Sequence, residues 1–184
     1  QINTLYNTFN ASIKEYDYKG NFNAVFPLKV NQLPNFIHPL INEGKKFNYG
    51  LEAGSKAELV IAMTYNNINS PITVNGFKDK EMIHLGFIAK SMGHDITLII
   101  EGLNELEMII EVLNETKMEA PSIGLRVRLH SGGSGLWAKS GGINSKFGLT
   151  STEILEAYEL MEDNNIVKYL TMIHFHIGSA MNSI

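Results

Sequence analysis

Short apolar runs alternate with amphipathic segments along the whole chain, and this alternation limits the possible fold more than any other feature. The apolar runs are rich in β-branched and aromatic residues, as buried strands are, and lie at residues 24–28, 47–51, 71–74, 96–100, 123–129 and 169–175. Helical periodicity appears at residues 2–13, 33–42, 56–65, 81–92, 105–116 and 152–161. An apolar run and a helical segment recur together about every 24 residues. This spacing predicts parallel βα units rather than strands and helices in two separate layers.

Six successive βα units fit either a doubly wound sheet or most of a (β/α)8 barrel. The barrel is favoured, because no G-x-G-x-x-G pattern follows the first apolar run and no aspartate stands ready for a dinucleotide ribose. The predicted fold is therefore α/β, an incomplete (β/α)8 barrel. Residues 1–22 are predicted to form a helix that leads into a partial barrel at residues 23–184, and both chain ends are interpreted as cuts.

Composition excludes several classes of function. The chain has 184 residues, 44% hydrophobic content and a net charge of -4, with no basic run of the kind that follows a nucleic-acid backbone. It contains no cysteine, so disulfides and thiolate metal sites are excluded. No apolar run approaches the roughly 18 residues of a membrane-spanning helix, and no secretion signal is visible. These features favour a cytoplasmic protein.

Lys29 follows the first apolar run directly, where a barrel strand would deliver it to the mouth of an active site. Apolar neighbours would lower the pKa of such a lysine, and the neutral amine could then form a Schiff base with a carbonyl cofactor. The alternative is a lysine that extends into solvent from a strand end. Lys29 is convincing only together with other site residues.

His174 and His176 stand two residues apart on a predicted strand, so both side chains point to the same face. They could ligate zinc, stack on an aromatic cofactor ring, or simply be satisfied interior groups. Zinc would need a third ligand, and the spacing of the other histidines supplies none. Gly178 and Ser179 follow directly and suit a phosphate contact, although a Gly-Ser turn is common.

Arg126 and Arg128 lie on one face of another predicted strand, and buried arginines need paired anions. Two explanations are open: a structural salt bridge to Glu52 or Glu101, or contact with a phenolate or phosphate oxygen of a ligand. After this strand, residues 130–150 form a Gly- and Ser-rich stretch that is longer than ordinary βα connections. That length makes the stretch a candidate for covering a ligand.

Six ordered motifs carry a resemblance that covers essentially the whole chain. They are EYDYKG at 15–20, FPLKVNQ at 26–32, GLEAGSK at 50–56, NGFKD at 75–79, a segment at 133–149 that begins with GSGLW and ends with SKFGL, and HFHIGS at 174–179. With these motifs the chain resembles the biosynthetic arginine decarboxylases, pyridoxal-phosphate enzymes of the alanine-racemase-like barrel class. The resemblance implies conversion of arginine to agmatine and carbon dioxide, in the biosynthesis of polyamines.

The resemblance also implies a role for each candidate residue. Lys29 would be the Schiff-base lysine, and Glu52 the acidic residue beside it. His176 would stack on the pyridine ring of the cofactor, Arg126 would approach the phenolic oxygen of the ring, and Ser179 would lie near the phosphate. Magnesium is associated with the family, but the sequence shows no cluster of oxygen ligands for it.

Other readings remain open. The resemblance implies a C-terminal β domain and a homo-oligomer, with groups that this chain lacks, so the 184 residues alone are expected to be inactive. Decarboxylation of lysine, ornithine or diaminopimelate is a second possibility, since no residue of the sequence identifies the substrate. A barrel that holds pyridoxal phosphate without catalysis, and a metal-dependent hydrolase using His174 and His176, are the remaining alternatives.

Overall fold

The computed structural model describes residues 1–129 and 147–177. Its strands are β1 (Val25–Pro27), β2 (Gly50–Ala53), β3 (Pro71–Val74), β4 (Asp95–Ile100), β5 (Ser122–Arg126) and β6 (Leu170–His174). Its α-helices are α1 (Ile2–Glu15), α2 (Pro34–Gly44), α3 (Lys56–Tyr65), α4 (Lys80–Ser91), α5 (Leu103–Thr116) and α6 (Ser151–Asp163). Strands and helices alternate as predicted.

All neighbouring strands pair in parallel, and their order in the sheet is their order in the chain. A doubly wound sheet reverses its strand order at a switch point, whereas the wall of a barrel adds strands in one direction. The observed order therefore confirms the predicted α/β fold. In the described residues it has six parallel strands, and an α-helix follows each of the first five. Within the described residues, β1 and β6 are the two edge strands.

The two faces of the sheet differ in chemistry, and this difference positions the site. Leu51, Ile72 and Ile96 stand side by side on neighbouring strands, and all three are fully buried in the core against the helices. The next positions along, Glu52, Thr73 and Thr97, form a polar row. Because side chains alternate across a strand, this row lies on the opposite face, which lines the inside of the barrel wall.

Helix α1 covers the amino-terminal side of β1 through an aromatic contact. The Tyr6 ring stacks on Phe47 with centroids 4.4 Å apart, and the Tyr6 hydroxyl accepts a hydrogen bond from the Ala24 amide at 3.1 Å. The helix ends at Glu15, and Asp17 just after it adopts the left-handed conformation (φ 49°).

Several other boundaries differ from the sequence prediction. Residues 45–47 form a 3-10 turn, which moves the start of β2 to Gly50. Strand β5 ends at Arg126, since the chain beyond it pairs with Leu149 instead. Helix α6 begins at Ser151, one residue before the predicted segment, and Thr150 and Glu153 form a complete capping box at its start. No helix in the described ranges is long and apolar enough to span a membrane.

Candidate functional site

The carboxyl ends of the six parallel strands meet at one edge of the sheet, and most of the predicted site residues lie there. Lys29 follows β1, Glu52 lies in β2, Arg126 ends β5 and His174 ends β6. In the register of the sheet, Pro27 stands beside Glu52, and Arg126 stands beside His174. This edge is where barrels and other parallel sheets bind their ligands.

Lys29 occupies a turn that hydrogen bonds hold against β2. The Leu28 amide donates to the Glu52 carbonyl at 2.9 Å, and the Val30 amide donates back to the Pro27 carbonyl at 3.0 Å. The Lys29 side chain is exposed and has no hydrogen bond or ion pair with other described residues. The sequence left open whether Lys29 is enclosed by apolar neighbours or extends into solvent. In the structure the turn carries the residue off the strand and leaves its amine accessible.

A second contact ties the turn after Lys29 to helix α3. The Gln32 side chain donates to Glu58 Oε1 at 3.1 Å, and Glu58 Oε2 accepts from the Gly54 amide at 2.7 Å. Ser55 caps helix α3, since its hydroxyl accepts from the Glu58 amide at 3.3 Å. Glu58 reaches past Ser55 to Gly54 and thereby joins the loops after β1 and β2.

Arg126 makes an ion pair with Glu101, one of the two partners that the sequence suggested. Its guanidinium also lies over the Phe147 ring, 5.5 Å from the centroid. Arg128 lies beyond the end of β5 and donates instead to the Gly148 carbonyl, at 3.0 Å from Nη2 and 3.2 Å from Nε. The two arginines therefore have different roles, and only Arg126 takes part in the charged cluster at the strand ends.

The two histidines also differ. His174 is half-buried, and burial together with the nearby positive charge of Arg126 lowers its pKa below 6.5. Its Nδ1 is buried and has no hydrogen-bond partner among the described residues. His176 lies past the end of β6 and is exposed. Gly178, Ser179 and residues 130–146 fall outside the described residues.

Asn75 adds another polar side chain at the carboxyl edge of the sheet. Its Nδ2 donates to Glu52 Oε2 at 3.4 Å, across the ends of β2 and β3. Its Oδ1, like His174 Nδ1, is buried without a partner in the described ranges. Buried polar atoms are rarely left unsatisfied, so two such atoms at the same edge indicate a place that a polar ligand or water completes.

The sequence interpretation missed a buried ion pair next to this edge. Lys78 is fully buried, with its Nζ 3.1 Å from Glu105 Oε2. Burial lowers the pKa of Lys78, and the charge of Glu105 opposes that shift. The sequence did contain a signal, a lysine four residues after the end of a buried strand, inside the NGFKD motif. Nothing in the sequence pointed to Glu105 as its partner.

Metal ligation was one of the open possibilities for the histidines. Within residues 1–129 and 147–177, no three histidine, aspartate or glutamate side chains come together as a group that could hold a metal ion.

The comparisons with known proteins identify the family. A model of the pyridoxal-dependent decarboxylases, covering their pyridoxal binding domain, matches residues 2–184. The chain belongs to this family. The match confirms the predicted resemblance and the predicted cofactor class, and the barrel fold follows from the same domain.

Two relatives are especially informative. The crystal structure of the biosynthetic arginine decarboxylase SpeA from Campylobacter jejuni is 58% identical, with a TM-score of 0.87 over 96% of this chain and 28% of that one. A biosynthetic arginine decarboxylase of Bacteroides thetaiotaomicron is 43% identical over all of this chain and 29% of its own length. The chain thus spans less than a third of these relatives.

A more distant structure supports the fold alone. Diaminopimelate decarboxylase from M. jannaschii superposes with a TM-score of 0.73 at 24% identity, over 99% of this chain and 41% of that chain. At that identity the likeness carries no information about substrate.

The residues at the carboxyl edge fit pyridoxal phosphate, which offers an aldehyde, a phenolic oxygen and a polar ring. Lys29 presents an accessible amine for the aldehyde. Arg126 has five N–H donors and gives a hydrogen bond from Nη1 to Glu101, so further donors remain for an anionic oxygen. The unpartnered His174 Nδ1 and Asn75 Oδ1 add polar contacts at the same edge.

Proposed function

We propose that the full-length protein decarboxylates L-arginine to agmatine and carbon dioxide with pyridoxal phosphate, in the cytoplasm and as a homo-oligomer, as a step of polyamine biosynthesis. The observation that carries the proposal is the 58% identity to an arginine decarboxylase, over 96% of this chain. The accessible Lys29 amine at the carboxyl edge of the sheet supports it.

Each site residue has a defined task in the proposal. Lys29 anchors the cofactor covalently, Arg126 contacts its phenolic oxygen, and His176 stacks on its ring. Ser179 lies near its phosphate, and Glu52 provides an acidic group beside the anchored end. When bound, the cofactor accepts the electron pair that the departing carboxylate leaves behind. The protein's contribution is to orient the bond that breaks and to fix the charges around the ring.

The geometry of Glu52 suits its task. Its carboxylate is half-buried on the polar face of the sheet, and Asn75 Nδ2 restrains one oxygen at 3.4 Å. The backbone carbonyl of the same residue holds the Leu28 amide, one position before Lys29. A single residue of β2 therefore sets both an acidic group and the turn that presents the amine.

Trapping of the cofactor tests the site. The full-length protein is incubated with pyridoxal phosphate and reduced with borohydride, and the modified lysine is located by peptide mass spectrometry. We expect the label on Lys29 and its loss in Lys29→Ala. Lys117→Ala is the control, since that lysine lies at the far end of α5, away from the carboxyl edge. Labelling spread over many lysines, and unchanged in Lys29→Ala, would contradict the assigned anchor.

A product assay tests the substrate. We expect agmatine from arginine, with much slower release of carbon dioxide from lysine, ornithine or diaminopimelate. Faster decarboxylation of one of those three would assign the other basic substrate instead. Selective labelling of Lys29 with no decarboxylation of any of the four would favour a barrel that binds the cofactor without catalysis.

A further inference from the structure

The buried ion pair of Lys78 and Glu105 lies next to the proposed site without belonging to it. Lys78 is 0% exposed and Glu105 is 2% exposed, so neither side chain can reach a ligand at the surface of the edge. Glu105 Oε1 accepts from the Lys78 amide at 2.9 Å, while Oε2 lies 3.1 Å from Lys78 Nζ. The carboxylate thus holds both the backbone and the side chain of the loop after β3.

The same carboxylate reaches the next loop. Glu105 Oε2 also accepts from the Glu101 amide at 2.8 Å, at the point where β4 ends. The Glu101 side chain in turn makes the ion pair with Arg126 at the end of β5. One chain of contacts therefore runs from the loop after β3, through Glu105 and Glu101, to the arginine that faces the cofactor in the proposed function.

Helix capping alone does not account for this arrangement. Helix α5 begins after Gly102, which has no side chain to cap it, and Glu105 lies in its first turn. A capping carboxylate usually works at the surface, where it satisfies a free N–H at little desolvation cost. Burying the carboxylate with a lysine costs several kcal/mol of desolvation per ion, of which the pairing returns only part. The ion pair with Lys78 also holds the Glu105 carboxylate in place, and this fixes the direction of the hydrogen bond that it accepts from the Glu101 amide.

We propose that Glu105 is a positioning residue for the cofactor site: by holding the Glu101 amide, it fixes the carboxylate that orients Arg126. The inference rests on the proposed function, in which Arg126 contacts the cofactor. The charges in the cluster balance, with Lys78 and Arg126 against Glu101 and Glu105. Loss of Glu105 would disturb both the geometry and this balance.

Two substitutions in the full-length protein separate geometry from charge. Glu105→Asp keeps the negative charge beside Lys78 but shortens the side chain, which withdraws it from the Glu101 amide. Glu105→Gln keeps the length and removes the charge. The control is Glu111→Gln, on the same helix, because Glu111 forms an exposed ion pair with Lys80 at 2.7 Å. Circular dichroism verifies the folding of each variant.

Two readouts follow the cofactor rather than the reaction. The first is the dissociation constant for pyridoxal phosphate, which we expect to rise about tenfold in both Glu105 variants, as when a group supporting a ligand contact is lost. The second is the midpoint of the pH-dependent change in the visible absorbance of the bound cofactor. Glu105→Gln removes a negative charge near the bound cofactor. The protonated form of the cofactor is then less stable, so the midpoint of the absorbance change moves to lower pH.

The midpoint depends on every charged group at this edge. In the part of the chain that the structure describes, these groups include Lys29 after β1, Glu52 in β2, Glu58 in α3, Lys78 after β3, Glu101 after β4, Glu105 in α5, Arg126 in β5, Arg128 after β5, and His174 and His176 at and after β6. Of these, only Glu105 is altered in the variants. A merely structural role of Glu105 would lower thermal stability while leaving the cofactor affinity and the midpoint of the folded protein at wild-type values.

The outcomes decide the inference. Tenfold weaker binding in both Glu105 variants, with a lower midpoint in Glu105→Gln and neither change in Glu111→Gln, supports it. Wild-type affinity in a folded Glu105→Asp protein overturns it, and this variant decides alone if Glu105→Gln does not fold. An equal effect in Glu111→Gln also overturns it. Neither readout needs arginine, so a wild-type protein that binds the cofactor but makes no agmatine would refute only the proposed function.

Discussion

Removal of the Lys78 charge should destabilise the protein strongly. Lys78→Met leaves the Glu105 carboxylate buried, 2% exposed, without its cation. Breaking a buried ion pair from one side typically costs about 3–5 kcal/mol. The carboxylate keeps its bonds to the Lys78 and Glu101 amides. The substitution also removes the hydrogen bond that Lys78 Nζ donates to the Gly76 carbonyl at 2.5 Å, which adds about 0.5–1.5 kcal/mol. The matched control is Lys80→Met, whose ion pairs are exposed and worth about 0–1 kcal/mol.

The partner substitution and the double variant complete the cycle. Glu105→Leu leaves a buried ammonium and also two amides without their acceptor, each amide costing about 1–3 kcal/mol, so its total should reach about 5–11 kcal/mol. Lys78→Met/Glu105→Leu removes both charges and retains the losses at the two amides and at the Gly76 carbonyl, about 3–8 kcal/mol together. The double variant should therefore be more stable than the sum of the single losses by several kcal/mol.

Urea unfolding of the cofactor-free full-length protein, followed by circular dichroism, measures all four free energies of unfolding. The cofactor is left out because a ligand that binds the folded state would add its own stabilisation. A loss below about 1 kcal/mol in Lys78→Met would refute the reasoning, since that is the value of a surface pair. Additive losses in the double variant would refute it equally, because they would mean that the two side chains do not interact.

Two further predictions concern α6 and the histidines. Thr150→Ala should lower the free energy of unfolding by about 0.5–2 kcal/mol through loss of the cap on Glu153, whereas Thr150→Ser should preserve it; equal stability of the two variants in urea would contradict the cap. His174 should titrate below 6.5 by NMR because burial and Arg126 lower its pKa, and burial lowers that of His94. The stability from neutral His174 should be complete above pH 6.5 and fall as the pH drops towards the lowered pKa; a titration at or above 6.5 would contradict this.

The arrangement of strands and helices was readable because it depends on local periodicity. Each apolar run is long enough to be a strand, and each amphipathic segment has helical spacing, so type and order could be predicted. The residues at which strands and helices begin and end were harder to predict. Strand β5 ends at Arg126 because its continuation pairs with Leu149, a residue more than twenty positions away, and no local pattern contains that information.

The candidate site, too, could be predicted only in part from the sequence. The sequence placed Lys29, Glu52 and Arg126 at strand ends, and in a parallel sheet all such ends meet at one edge. Their roles towards the cofactor remain predictions. The sequence did not decide between an enclosed and an exposed Lys29, because the exposure depends on how the turn after β1 is held by β2.

The sequence by itself determined the repeated βα units, the family and the residues that follow each strand, since these depend on periodicity and on short motifs. Only the tertiary structure decided which charges meet. Arg126 pairs with Glu101 rather than Glu52, and Lys78 pairs with Glu105 across 27 positions of sequence. The physical reason is that the lateral order and register of the strands bring the strand-end loops together, and ion pairing acts over a few ångströms of space.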